Sequence, residues 1–331
     1  MELPLENVNK EVIKLYDEET DDRYGCYPER RGIKEKIGFG MVLLDKPQRM
    51  RSRTAAILAK GMLSPLGVVK MGYSGTLDPN VTGLLPLALN NANKAISALL
   101  MGGKEYVALM HLHKEVEESV LKRTFKKFSG KIMQLPPVRS HVKRQYRERE
   151  IYYSDILEID GRDVLFRVGV ESGTYIRKLI HDIGEELSAG ANMAELRRTK
   201  VTTLTEKDHL TSLQDLEDAM YYYTQENDEK FISYCVQNIE RGLDFMPKVF
   251  VSDGAVDTVC HGSPLAAPGL VKMNRFNTGD VIFMSTLKGE LIALGRAVAS
   301  SDEIAGGRKG VVVKTDSVIM KIGTYPKYAK K

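Results

Sequence analysis

The 331-residue chain has no tryptophan, only three cysteines, and no apolar run near the ~20 residues that a bilayer-crossing helix needs. Cys26, Cys235 and Cys260 lie far apart and fit neither a zinc nor a redox spacing. The acidic, polar start from Met1 to Asp22 is unlike a secretory signal, so an intracellular protein with no membrane partner is expected. Neither the phosphate-cradling Walker sequence nor the dinucleotide glycine pattern is present. Gly306-Gly307-Arg308-Lys309-Gly310 lacks the strand-to-helix setting of either motif and reads as a turn. Nothing therefore implies a bound cofactor. His111 and His113 would share one face of a strand, but no third ligand lies near them, so no metal site is predicted. A large net charge is also missing: +4 is too little to argue for nucleic acid.

What is present describes an ordinary globular protein, 43% hydrophobic and 28% charged, long enough for a large domain plus a small one. Its charge is unevenly spread. Basic residues gather in Lys46 to Arg53 and Arg139 to Arg149, and acids in the N-terminus and in Asp208 to Glu229. Such clusters form a polyanion-binding face or simply solvated surface.

The run Met41-Val42-Leu43-Leu44 reads as a buried strand ending at Lys46-Pro47. Thr54 to Leu63 predicts a helix with Ile57, Leu58 and Met62 on one face, and Val81 to Leu100 a helical segment interrupted at Pro86. Tyr106 to His113 alternates like a strand, Ser119 to Phe128 reads as a helix, and Arg147 to Ile159 and Val164 to Val170 read as a hairpin turning at Asp160-Gly161-Arg162. Ile176, Leu179, Ile180, Ile183 and Leu187 form an apolar helical stripe. Ser212 with Asp215 suggests a capping box, and Phe231 to Leu243 a further amphipathic helix. Strands and helices without βαβ alternation favour an α+β domain built on a mixed sheet. Beyond Pro247, short apolar runs at glycine-rich turns indicate a small β-barrel domain. The expected division is an extension over 1–37, a mixed-sheet domain over 38–246 and a small β-rich domain over 247–331.

The richest stretch is Tyr73-Ser74-Gly75-Thr76-Leu77-Asp78-Pro79-Asn80-Val81-Thr82-Gly83. Pro79 pushes Asp78 out of the α region, and Gly75 and Gly83 permit tight turns or close approach. A carboxylate so presented can be a nucleophile or general base, or merely the cap of a helix starting near Val81. Arg177 falls in the first turn of its helix, where the dipole disfavours a cation; Asp78 is a candidate partner, a surface pair the alternative. Tyr106 is core packing or a stacking platform for a base, and Leu196 an apolar pocket wall.

These residues lie within a series of ordered blocks: Leu44-Asp45-Lys46-Pro47, the Gly75-to-Gly83 loop, Gly103-Lys104-Glu105-Tyr106-Val107, Pro136-Pro137-Val138-Arg139-Ser140, Gly173-Thr174-Tyr175-Ile176-Arg177 and Met193-Ala194-Glu195-Leu196-Arg197-Arg198-Thr199. In them the chain resembles the TruB-type RNA pseudouridine synthases, most closely the archaeal dyskerin-like branch that serves box H/ACA ribonucleoproteins. The region from Val251 onward resembles that family's PUA domain. The resemblance implies uridine isomerisation in RNA with no cofactor and no metal. Asp78 is implied as the catalytic aspartate, Tyr106 as the ring that stacks on the base and assists C5 proton removal, Arg177 as the holder of the carboxylate, and Leu196 as pocket packing. Whether Asp78 attacks the sugar or removes a proton there stays open. Base flipping toward a buried carboxylate is implied.

RNA contacts are expected from Lys46, Arg49, Arg51, Arg53 and Tyr73, from Arg139, Lys143 and Arg144 in a mobile thumb loop, and from His261 and Gly262, where the PUA domain takes the 3′ ACA end of a guide RNA. The implied partners are a guide RNA, substrate rRNA or tRNA, two small protein subunits and, through the guide, a kink-turn-binding protein. The extension is expected against the PUA domain. With no lysine-rich nuclear tail, the location is cytoplasmic in an archaeon, nucleolar in a eukaryote. The chain departs from the family at Tyr73, usually His, at Gln48 to Arg53, usually a small glycine-containing turn, and at Leu135, usually Arg. A stand-alone synthase for the tRNA T-loop and a noncatalytic RNA scaffold remain as alternatives.

Overall fold

The computed structural model describes residues 2–5, 11–136 and 143–327. Two sheets organise them. In the larger, the strands run in the order Gln237–Asn238, Gly40–Lys46, Thr82–Leu89, Ala191–Val201, Lys104–Leu112, Asp163–Val170, Arg147–Asp160 and Gly130–Gln134. Met71–Tyr73 adds to Thr82–Leu89, and Leu204–Thr205 to Ala191–Val201. Neighbours pair antiparallel except at Thr82–Leu89 and Ala191–Val201, which run parallel where Gly83 meets Arg198. This mixed sheet with helices on it is the α+β class read from the sequence.

The centre of the sheet is covered on both faces. Val42, Leu44, Leu85, Leu87 and Leu89 enter the main core, with Leu179, Ile180 and Ile183 of the helix Ile176–Glu186. Met41, Leu43, Leu84 and Ala88 face the other way, into a second core. That double burial overturns the helix expected from Val81 to Leu100. The segment is the strand Thr82–Leu89, followed by the 3-10 turns Asn90–Ala95 and the short helix Ala98–Met101. With both faces apolar, the period of two vanishes from the sequence. Pro86 is tolerated because its carbonyl takes the Ser74 N–H, so its missing N–H points to the edge where one neighbour strand hands over to the next.

Two other expectations need correction. The helix Ser52–Leu63 begins earlier and buries Ala55, Ala56, Ala59 and Leu63, leaving Ile57 and Leu58 exposed; small side chains let it lie close to the helix Leu213–Gln225. Phe231 to Leu243 is not one helix. Lys230–Cys235 and Ile239–Gly242 are separated by Gln237–Asn238, which pairs with Met41 and Gly40 at the sheet edge. Ser212 does cap its helix reciprocally with Asp215.

The second sheet has seven strands, in the order Val12–Lys14, Leu270–Asn274, Lys248–Val251, Val281–Thr286, Leu291–Ala297, Val311–Val318 and Leu265–Ala266. It is the β-rich C-terminal domain expected from the sequence. Its first strand comes from the N-terminal extension, which also bonds Asp253 through Thr20 and Asp21 and places Arg31 against Glu240. The second core joins the sheets: Phe283, Leu291, Leu294 and Ile319 pack with Met41, Leu43, Leu84 and Ala88.

Candidate active site

The loop between Met71–Tyr73 and Thr82–Leu89 carries Asp78, and each end of it is fastened. Ser74 N–H donates to the Pro86 carbonyl at 3.1 Å. Buried Ser52, at the start of its helix, accepts from Leu77 N–H at 2.8 Å and donates to the Leu77 carbonyl at 2.9 Å. Lys46 is fully buried and donates to the carbonyls of Pro47 and Met50, both at 2.7 Å, and of Pro79 at 3.2 Å. Both glycines are required: Gly75 (φ +69°) and Gly83 (φ +98°) lie against Arg198, and a Cβ on Gly83 would sit 2.3 Å from the Arg198 carbonyl.

Arg177, second residue of the helix Ile176–Glu186, forms an ion pair with Asp78. The carboxylate that the helix N-terminus called for is thus in place. Both side chains are more than half exposed, at 58% for Arg177 and 56% for Asp78, so the expectation of a buried carboxylate is corrected. The acid lines two hollows that share several residues. One, of about 450 Å³, is lined by Asp78, Tyr106, Arg177, Leu196 and Arg198 among others; the second, of about 330 Å³, shares Asp78, Val81, Arg177, Met193 and Leu196. Leu196 is buried, and Tyr106 is half-buried on the neighbouring strand. All four residues singled out for chemistry therefore meet at one cleft. A larger cavity, about 710 Å³, lies between Pro28, Gln237 and Lys248 and holds none of them; there Arg241 is paired with Asp208 and Lys248 with Asp244.

Sequence reasoning missed two buried cations beneath the cleft. Lys104 is 5% exposed and donates to the carbonyls of Leu100 (2.8 Å) and Gly102 (2.6 Å) and to Ser172 Oγ (3.0 Å), tying two rims of the larger hollow together. Burial, helped by the nearby Arg198 charge, brings its pKa down to about 8. Arg198 is 1% exposed and donates to the carbonyls of Leu84 (2.8 Å), Ser74 (3.2 Å) and Gly75 (3.1 Å). Strand alternation was the available signal: Leu196 and Arg198 share a face, so a buried leucine implied a buried arginine.

The residues proposed to touch RNA divide. Arg49, Arg51 and Arg53 are exposed on the turn and first helical residues beside the Asp78 loop, and Lys143 and Arg144 are exposed too. Arg139 lies outside the described residues. Lys46 is corrected: its ammonium faces three carbonyls in the interior, not a phosphate. Tyr73 packs partly buried against the main core. His261 and Gly262 are exposed just past the helix Asp253–Cys260, on the other sheet's domain, with His261 beside Asp257. His111 and His113 bond Asp163 and Asn192.

Comparison with known proteins agrees with this geometry. Profiles of the TruB family pseudouridylate synthase N-terminal domain (64–176), the tRNA pseudouridylate synthase B C-terminal domain (177–244), the PUA domain (247–319) and the DKCLD domain (1–52) match the chain. "Probable tRNA pseudouridine synthase B" of Methanopyrus kandleri is 49% identical over 96% of this chain and 94% of its own, and that of Pyrococcus abyssi 45% over 97% and 96%. Among solved structures, a Cbf5-Nop10-Gar1 complex superposes with a TM-score of 0.93 at 45% identity, covering 98% of each chain. An H/ACA RNP bound to a substrate RNA containing 2′-deoxyuridine gives 0.92 at 42%, covering 98% of this chain and 99% of that one. Fold and site together define an RNA isomerase. The chain belongs to the TruB family of pseudouridylate synthases.

Proposed function

We propose that this synthase isomerises uridines chosen by a box H/ACA guide RNA, with Asp78 as the catalytic carboxylate. The observation that carries the assignment is the Asp78–Arg177 pair at the mouth of a cleft walled by Tyr106 and Leu196. The target nucleotide leaves its stack to enter the hollow. Arg177 orients the carboxylate toward the ribose, the bond to N1 breaks, and the uracil turns against Leu196 and Tyr106 until C5 meets C1′. Tyr106 then helps remove the C5 proton. The His261–Gly269 loop takes the 3′ ACA end of the guide, while Arg49, Arg51, Arg53, Lys143 and Arg144 hold backbone phosphates. Two small subunits like those named with the Cbf5 neighbours bind the catalytic domain, and a kink-turn-binding protein joins through the guide. A second reading, direct action on tRNA without a guide, is favoured by the names of the curated relatives.

Release of tritium from RNA carrying 5-tritiated uridine tests both. Turnover only with guide RNA and small subunits supports the first reading; turnover on free tRNA transcript supports the second. In either case Asp78→Asn should keep RNA affinity and lose about 10⁴-fold or more in rate, the scale seen when a central catalytic group is removed. Retained turnover in that variant overturns the assignment of Asp78.

A further inference from the structure

We propose that Arg198 is a positioning residue for Tyr106: its buried guanidinium ties the strand across from the phenol to the Asp78 loop and favours the ionised phenol that takes the C5 proton. The inference rests on the role proposed above for Tyr106.

Three observations support it. Arg198 is 1% exposed, yet its bonded acceptors are three neutral carbonyls, and among the described residues no carboxylate pairs with it. Burying a full charge on such terms costs more than an apolar side chain would, so packing alone does not account for it. Two of those carbonyls, Ser74 and Gly75, open the Asp78 loop, so one side chain sets the loop against the sheet. The strand register places Arg198 across from Tyr106, beside an irregularity in the pairing between Glu105 and Tyr106. Both line the larger hollow. Burial lowers the guanidinium's hold on its proton, and the nearby Tyr106 phenol acts in the opposite direction.

The step balances as follows. Once C5 is bonded to C1′, it carries both hydrogen and ribose, and the ring holds a C6=N1 double bond. The phenol has released its proton to solvent. Its oxygen takes the C5 proton, the C5–H pair forms the C5=C6 bond, and the C6=N1 pair moves to N1, which is protonated by water. A fixed cation beside the phenol raises the share of it that is ionised before the transfer, and so supplies the base that takes the C5 proton.

The test uses the full-length protein, under whichever assay condition above gives turnover, with substrate uridine bearing hydrogen or deuterium at C5. Arg198→Lys keeps a cation with fewer donors; Arg198→Met removes it; Tyr106→Phe is the reference. Rates are referred to the folded fraction measured by circular dichroism. Both Arg198 variants should slow, by about 10²-fold for Arg198→Met, the lower range for lost proton-transfer assistance. Both should show a larger C5 deuterium isotope effect than the parent, with RNA affinity retained. A variant that slows without raising the isotope effect, or that keeps the parental rate, overturns the inference. If Tyr106→Phe itself leaves rate and isotope effect unchanged, the reading of Tyr106 fails and the inference with it. A slowed Tyr106→Phe beside an unaffected Arg198→Lys sinks the Arg198 role alone.

Discussion

At the residue scale, polar groups turned inward hold the outward acid. Asp78 itself is open to solvent, but Lys46, Ser52 and Arg198 fix its loop from below. Gly83→Ala should be among the most damaging small changes, because the added methyl meets the Arg198 carbonyl at 2.3 Å in a left-handed backbone conformation. A loss of about 1–3 kcal/mol is expected, seen as a lowered melting temperature. Lys104 gives a pH signature. Its folded-state pKa of about 8 is below the ordinary lysine value, so above about 8 the unfolded chain holds this proton more tightly than the folded one. Stability from this site should therefore rise as pH climbs from about 8 toward 10, and a labelled lysine resonance should titrate near 8 and vanish in Lys104→Met; one that stays charged to pH 10 contradicts it. Asp78 and Arg177 could be paired from sequence because a cation in a helix's first turn asks for an acid. Lys104 and Arg198 leave a weaker trace: alternation with Leu196 is the one mark of burial on Arg198, and a lone charged letter such as Lys104 otherwise reads as surface.

At the scale of elements, legibility followed burial. The hairpin turning at Gly161 and the helix Ile176–Glu186 each keep one wet face, and their periods survive in the sequence. Thr82–Leu89 is apolar on both sides, so neither period could be read, and the helix misassigned there also hid the true shape of the Asp78 loop's exit. On Ser52–Leu63 the larger apolar side chains Ile57 and Leu58 face outward while alanines make the contact, so hydrophobic size alone points to the wrong face. Ser52→Ala tests how the helix start governs the loop. It strips a buried N–H and a buried carbonyl of Leu77 of their partner, at a cost of about 1–3 kcal/mol. Turnover should fall while RNA affinity holds, measured by tritium release and filter binding. The arginines at the start of this helix and on the turn before it give the opposite pattern. Replacing Arg49, Arg51 and Arg53 together should weaken RNA binding and flatten the log–log salt slope by up to about 2, at ~0.7 per phosphate contact. A slope equal to the parent's removes these residues from the RNA face.

At the scale of the molecule, the two sheets share an interior. Phe283 from the C-terminal domain and Met41, Leu43 and Leu84 from the catalytic sheet lie in one packed layer, and Lys94 bonds the Val318 carbonyl across the same junction at 2.9 Å. Phe283→Ala should cost about 3–5 kcal/mol and shift one calorimetric transition downward; separate melting of the two domains would show the junction to be weaker than its burial implies. The Pro47-to-Arg51 turn has a different consequence. Lys46 grips it at one end and Ser52 anchors the other, so its outward side chains hang from a backbone whose course is decided underneath. Changes confined to those outward side chains should therefore leave the acid next door at its address.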